Sequence, residues 1–151
     1  MSDPTTDSEG PVLADDQTVY RTATRKSWVR RNGAPTLELY LSSEFQPAAE
    51  AFLRRASDHD GLSVHYNLDS PDEIPLQTKW AIFSLLTGRI HQIPGVENRF
   101  LRIVPDDLQH ALIRGLPEYS PDPTELALNI ATSLVAITDP QPYWVHPKLL
   151  A

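Results

Sequence analysis

A chain of 151 residues fits one domain with a single core, since a chain of this length buries roughly two-thirds of the surface that its unfolded form exposes. The absence of cysteine excludes disulfides, thiolate metal sites and cysteine nucleophiles. The formal net charge of -7 disfavours nonspecific binding to nucleic acid, and no segment reaches the roughly 20 apolar residues that cross a bilayer, so we expect a cytoplasmic protein without membrane contact.

The first 17 residues are predicted to form an acidic, disordered leader. They carry five acids and no base, whereas residues 18–31 carry five bases and no acid. Their small polar side chains offer too little apolar surface to offset the entropy cost of ordering a backbone. The folded domain is therefore expected to begin at residue 18.

A β-hairpin is predicted at the start of the domain. Residues 18–31 are rich in β-forming side chains and precede Asn32-Gly33, a dipeptide typical of hairpin turns. Residues 36–41 then alternate between leucine and other side chains. This alternation predicts a strand with one buried face.

A helix and another strand are expected next. Ser43 and Gln46 match a capping box, and apolar residues recur at helical spacing over 45–56. Residues 62–68 alternate, which predicts a strand with three residues on one face: Leu62, Val64 and Tyr66. The order strand, helix, strand permits a right-handed parallel crossover.

Residues 76–93 are predicted to form the most buried helix. Their apolar side chains form a wide stripe at helical spacing, and Pro94-Gly95 ends it. A short strand is expected over 98–104. A short helix capped by Asp106 is expected over 106–116.

The last predicted helix begins near Asp122, with Pro123 at its first position, and continues to residue 137. Residues 140–151 form a tail rich in proline and aromatic residues. Together the elements predict an α+β domain over residues 18–139, with a mixed sheet of three to four strands and about four helices packed mainly on one face.

The sequence predicts no catalytic, metal-binding or cofactor-binding site. Asp58-His59-Asp60 is typical of a solvated turn. His65, Asp69 and Ser70 include the residue types of a hydrolytic triad, but no G-x-S-x-G elbow accompanies any serine. No glycine-rich phosphate loop occurs, and we expect neither a cofactor nor a metal.

The basic segment 21–31 is compatible with nucleic-acid binding. Cations beside aromatic rings can follow a phosphate backbone while a ring stacks on a base. Protection of a sheet edge by charge, or pairing with the acidic leader, is sufficient to explain the same residues. Those predicted to contact nucleic acid are Arg21, Arg25, Lys26, Trp28, Arg30 and Arg31.

The tail is the second candidate contact surface, since its prolines favour an extended chain that aromatic residues can anchor in a groove. Packing against its own domain is the simpler alternative. The residues predicted to contact a partner are Tyr143, Trp144, Val145, Leu149 and Leu150.

Three functions follow from these features. The first is a small non-enzymatic protein-interaction module, such as an adaptor, an inhibitor, an immunity-type protein or a regulatory subunit, which binds another protein or a second copy of itself. The second is a nucleic-acid-associated protein that uses the basic segment. The third is an enzyme without a recognisable motif.

Overall fold

The computed structural model describes residues 11–24, 49–54, 61–74, 79–139 and 142–146. Within these residues, six strands form one sheet: β1 (Thr18–Thr24), β2 (Leu62–Tyr66), β3 (Lys79–Leu86), β4 (Arg102–Pro105), β5 (His110–Arg114) and β6 (Trp144–Val145). Their order is β4-β5-β2-β1-β3-β6. The helical elements are α1 (Glu125–Ala136), one helical turn at Thr87–Ile90, and 3-10 turns at Ala49–Phe52, Pro71–Glu73 and Val96–Asn98.

This architecture corrects the predicted fold class. The prediction of a mixed sheet of three to four strands with about four helices is wrong. All neighbouring strands of the six-stranded sheet are antiparallel, so no parallel crossover is formed among them. In the described part of the chain, α1 is the one helix longer than a single turn. The hairpin partner predicted over 36–41 and most of the helix predicted over 45–56 lie outside the described residues.

Residues 79–86 form β3, although they were predicted to lie in the most buried helix. Ala81, Phe83 and Leu85 are buried on one face of the strand, and Ile82 is buried on the other. A strand that is covered on both faces has a nearly continuous apolar run, and such a run also matches the apolar spacing of a helix. The pattern of apolar residues alone therefore could not distinguish this strand from a helix.

Residues 106–116 form a turn and β5 in place of the predicted short helix. Asp106 does not cap a helix, because its backbone N–H donates to the carbonyl oxygen of His110 at 3.0 Å and closes the β4–β5 turn. In β5, buried Ala111 and Ile113 alternate with half-buried neighbours. An alternation of five residues is too short to distinguish a strand from a helix in the sequence. Pairing with neighbouring strands makes this segment a strand.

Two predicted elements are confirmed with small changes. The strand predicted over 62–68 is β2, and Leu62 and Val64 are buried as expected. The last helix forms, but its N-cap is Thr124, whose Oγ1 accepts a hydrogen bond from the backbone N–H of Ala127 at 3.1 Å. The N-cap therefore lies two residues after the predicted cap at Asp122.

The core lies between one face of the sheet, which we call the inner face, and a layer made of α1 and the 3-10 turn Ala49–Phe52. The opposite face is the outer face. Apolar side chains from both layers are buried in one cluster. Its larger members are Val19, Phe52, Leu62, Val64, Phe83, Ile103, Ile113, Ile130 and Leu134.

The edge of β4 is covered by two other parts of the chain. The backbone N–H of Leu13 donates to the carbonyl oxygen of Ile103 at 2.9 Å, and the N–H of Ile103 donates to Nε2 of His91 at 3.2 Å. Nδ1 of His91 lies 2.9 Å from Oδ1 of Asp15. Leu13 and Asp15 of the predicted leader therefore contact this edge of the domain, whereas residues 1–10 lie outside the described residues.

The edge of β3 is covered by the segment that follows α1. Backbone N–H groups of Asp139 and Tyr143 donate to the carbonyl oxygens of Ser84 and Ile82, at 2.9 and 2.8 Å. Trp144–Val145 then pair with β3 as β6. This part of the predicted tail packs against its own domain.

Arg21 connects the central strand to its neighbours. In the antiparallel pair of β1 and β2, Val19 lies opposite Tyr66 and Tyr20 opposite His65. The next side chain, Arg21, is 9% exposed. Its Nε donates to the carbonyl oxygen of Ala51 at 2.6 Å, and its Nη1 to that of Ser63 at 2.8 Å. The guanidinium thereby joins β1, β2 and the 3-10 turn Ala49–Phe52.

Replacing Arg21 by methionine should destabilise the fold, because the carbonyl oxygens of Ala51 and Ser63 lose one buried and one partly buried hydrogen bond, at a cost of about 1–3 kcal/mol each. Urea unfolding measures this loss. The control is Arg89→Met on the exposed surface of the helical turn Thr87–Ile90, where we expect a change within about 0.5 kcal/mol. Equal unfolding free energies for the two variants would contradict the role given to Arg21.

Candidate functional site

A cavity of about 270 Å³ lies beside the place where the β1–β2 pairing ends. It combines groups from four strands with one residue that precedes β3. The residues that line it are Arg21, Thr22, Ser63, His65, Ile74, Lys79 and His110. A cavity with several convergent polar groups is the default position for a binding or active site.

A hydrogen-bonded chain of three side chains borders the cavity. Nδ1 of His110 lies 2.5 Å from Oδ1 of Asp106, and Nε2 of His110 lies 3.0 Å from Oγ of Ser63. An ionised carboxylate only accepts hydrogen bonds, so Nδ1 of His110 carries the proton and Nε2 accepts from the Ser63 hydroxyl. This sequence of carboxylate, imidazole and hydroxyl is the arrangement that activates a serine nucleophile.

Strand pairing brings the three residues together. Asp106 and His110 are the two ends of the β4–β5 turn. In the β2–β5 pair, His65 lies opposite His110, and Ser63 lies opposite Leu112. Ser63 is thus diagonal to His110 on the outer face of the sheet. The imidazole of His110 is long enough to reach across this diagonal.

His65 is a second imidazole at the same site. Its ring meets that of His110 edge to face, with ring centroids 5.7 Å apart. Burial lowers the pKa of His65, and the nearby basic side chains of His110, Lys79 and Arg21 lower it further. The ring is therefore neutral at pH 7.

The segment 67–74 holds one wall of the cavity. Oε2 of Glu73 accepts from the backbone N–H groups of Asp69 and Ser70 at 2.5 and 3.0 Å. Oε1 of Glu73 accepts from Nε2 of Gln109 at 3.1 Å. The hydrogen bonds from Ser70, Asp69 and Gln109 lower the pKa of Glu73. The capping-box spacing of Ser70 and Glu73 is the sequence signal that identifies this turn.

The triad considered from the sequence is not the one that forms. His65 contacts His110, whereas Oγ of Ser70 accepts from the backbone N–H of Asp72 at 3.4 Å and caps the 3-10 turn Pro71–Glu73. The Asp58-His59-Asp60 segment lies outside the described residues.

Of the six residues predicted to contact nucleic acid, the structure describes Arg21. That side chain is buried and donates to two backbone carbonyls. Arg25, Lys26, Trp28, Arg30 and Arg31 lie outside the described residues. Nucleic-acid contact by these five residues stays a prediction.

Three of the predicted partner-contact residues lie on the chain's own sheet. Val145 is buried, whereas Tyr143 and Trp144 are half-buried. The ring of Tyr143 packs 4.5 Å from that of Tyr20, and burial raises the pKa of both phenols. Leu149 and Leu150 lie outside the described residues.

A second cavity of about 340 Å³ is larger but is lined by fewer ionisable side chains. Its ionisable side chains are Arg89 and Asp139, and its lining contains no imidazole. Volume alone does not identify a site, so we favour the smaller cavity with the hydrogen-bonded Asp106, His110 and Ser63.

Among the described residues, no three His, Asp or Glu side chains group as ligands for a metal ion. No helix of this part of the chain has the length and apolar character needed to cross a membrane. Comparison of the chain with protein-family models, curated proteins and solved structures finds no match. Inferences about function therefore depend on the geometry of the site.

The His65→Gln variant should lose less stability in acid than the unmodified chain. Because the pKa of His65 is lowered by folding, the unfolded chain binds this proton at higher pH than the folded chain does. Stability is thus lost as pH falls below the ordinary histidine pKa of about 6.5. Thermal unfolding from about pH 8 to pH 5 measures the difference. The two proteins should show the same pH slope above about pH 7.5, and identical slopes at acid pH would contradict the prediction.

Proposed function

We propose that this chain is a small hydrolase that uses Ser63 as the nucleophile on an acyl ester. One observation supports the proposal above the others: Asp106, His110 and Ser63 form a continuous hydrogen-bonded chain with separations of 2.5 and 3.0 Å beside a cavity. The order of the groups suits the transfer of the serine proton to the imidazole.

In the proposed reaction, Oγ of Ser63 attacks the carbonyl carbon of the ester while Nε2 of His110 takes the hydroxyl proton. The Asp106 carboxylate keeps the reactive tautomer of His110 and stabilises the imidazolium. The tetrahedral intermediate expels the alcohol, which takes the proton from His110. Water then attacks the acyl-serine by the same steps, which releases the acid and restores Ser63.

The developing negative charge on the substrate oxygen needs stabilisation. Lys79 and Arg21 line the same cavity. Nη1 of Arg21 donates to the backbone oxygen of Ser63 at 2.8 Å, so a positive charge lies beside the nucleophilic residue. We assign oxyanion stabilisation to the Lys79 ammonium, because the Arg21 guanidinium already donates to the carbonyl oxygens of Ala51 and Ser63.

Replacing Ser63 by alanine should abolish hydrolysis of p-nitrophenyl acetate above the uncatalysed rate, with a loss of about 10²-fold or more in kcat/KM. A fluorophosphonate probe should add to the unmodified chain at Ser63, as read by intact and peptide mass spectrometry. The matched control is Ser84→Ala, because Ser84 lies on the outer face of β3, two strands away from β2, and lines the second cavity. It should keep both turnover and labelling.

The hydrolase proposal would be overturned by absent labelling together with equal turnover in the unmodified chain and Ser63→Ala. Both proteins must give the same circular dichroism spectrum and thermal midpoint for this comparison. Labelling at a serine other than Ser63 would also count against it.

A protein-interaction module is the second candidate, and the outward surface of α1 favours it. Glu125 is the one charged residue of α1, in a chain with 22% charged residues. Leu126 and Leu128 are 45% and 44% exposed. The hydroxyls of Thr132 and Ser133 donate to carbonyl oxygens one turn earlier, at 2.8 and 3.0 Å, which leaves them less hydrated. Weakly hydrated surfaces of this kind are typical of interfaces.

If α1 contacts a partner protein or a second copy, the double variant Leu126→Lys, Leu128→Lys should lose that association. Sedimentation velocity measures self-association, and affinity capture from the native source measures a heterologous partner. Leu108→Lys is the control, since Leu108 is 82% exposed in the β4–β5 turn, away from α1. Equal association of both variants would remove α1 as the contact surface.

A further inference from the structure

Ile74 is the apolar wall of a largely polar cavity. Its side chain is 2% exposed, whereas the other lining residues carry hydroxyl, imidazole, ammonium or guanidinium groups. The aliphatic side chain of Ile74 is therefore the group that we expect to contact the apolar part of a ligand.

The position of Ile74 is held by the segment that precedes it. Its backbone N–H donates to the carbonyl oxygen of Pro71 at 3.1 Å. The neighbouring Glu73 accepts from Nε2 of Gln109 at 3.1 Å, and Gln109 immediately precedes His110. The apolar wall and the imidazole are therefore connected through the same turn.

We propose that Ile74 sets the length of the acyl group that Ser63 receives, so that the substrate is a short-chain acyl ester. The inference rests on the proposed hydrolase function. Ser63 and Ile74 line the same cavity of about 270 Å³, in which Ile74 is the one aliphatic side chain, so an acyl group on Ser63 extends beside Ile74. A longer chain meets the Ile74 side chain.

The test compares kcat/KM for the p-nitrophenyl esters of acetate, butyrate and octanoate. The unmodified chain should prefer acetate and butyrate over octanoate by roughly tenfold or more. Ile74→Ala should raise the octanoate-to-acetate ratio by roughly tenfold, and Ile74→Val should raise it less, since only one methyl group is removed. Ile113→Val, equally buried but on the inner face, is the matched control and should leave the ratio unchanged.

Ile74→Val keeps the test decisive if the alanine variant fails to fold. Hydrolysis that depends on Ser63, with an unchanged ester ratio in the Ile74 variants, would overturn the assignment of Ile74 alone. Hydrolysis that does not depend on Ser63 would overturn the hydrolase proposal and this inference together.

Discussion

The buried guanidinium of Arg21 is the interaction on which the sheet, its inner layer and the cavity all depend. A charge removed from water is costly unless hydrogen bonds replace its hydration, and the carbonyl oxygens of Ala51 and Ser63 accept two of these bonds. β1 lies between β2 and β3, so one side chain on it ties the 3-10 turn Ala49–Phe52 to the middle of the sheet. The residue that carries the candidate nucleophile is thereby held through its own backbone.

The edges of the sheet decide where contacts with other molecules can form. An exposed edge strand would invite pairing with another chain. Here the edge of β4 is occupied by Leu13 and His91, and the edge of β3 by Asp139 and residues 143–145. Strand addition at these two edges would require displacement of parts of the same chain. The weakly hydrated surface of α1 and the cavity remain the better positions for a partner and a ligand.

Local patterns predicted β2 and α1, because each has a clear period and α1 also has a capping residue. Local patterns did not predict β3, because a strand that is buried on both faces has no alternation of apolar and polar residues. They also did not predict β5, which has only five residues. The alternation placed Leu62 and Val64 on one face of β2, which leaves Ser63 and His65 on the other. The link from Ser63 to His110 spans 47 residues of sequence and depends on the β2–β5 pairing, which no local pattern gives. The spacing of four between Asp106 and His110 suits either a helix or this turn.

Two imidazoles 5.7 Å apart raise the question of which one accepts the serine proton. His110 contacts both Asp106 and Ser63, whereas burial and neighbouring basic groups lower the pKa of His65 and keep it neutral. A charged His65 would repel an imidazolium at His110, because like charges this close disfavour a second proton. A neutral His65 removes that repulsion while it fills the space beside the base. In the proposed reaction, the half-buried position of His65 therefore favours proton transfer to His110, and the two rings take different roles.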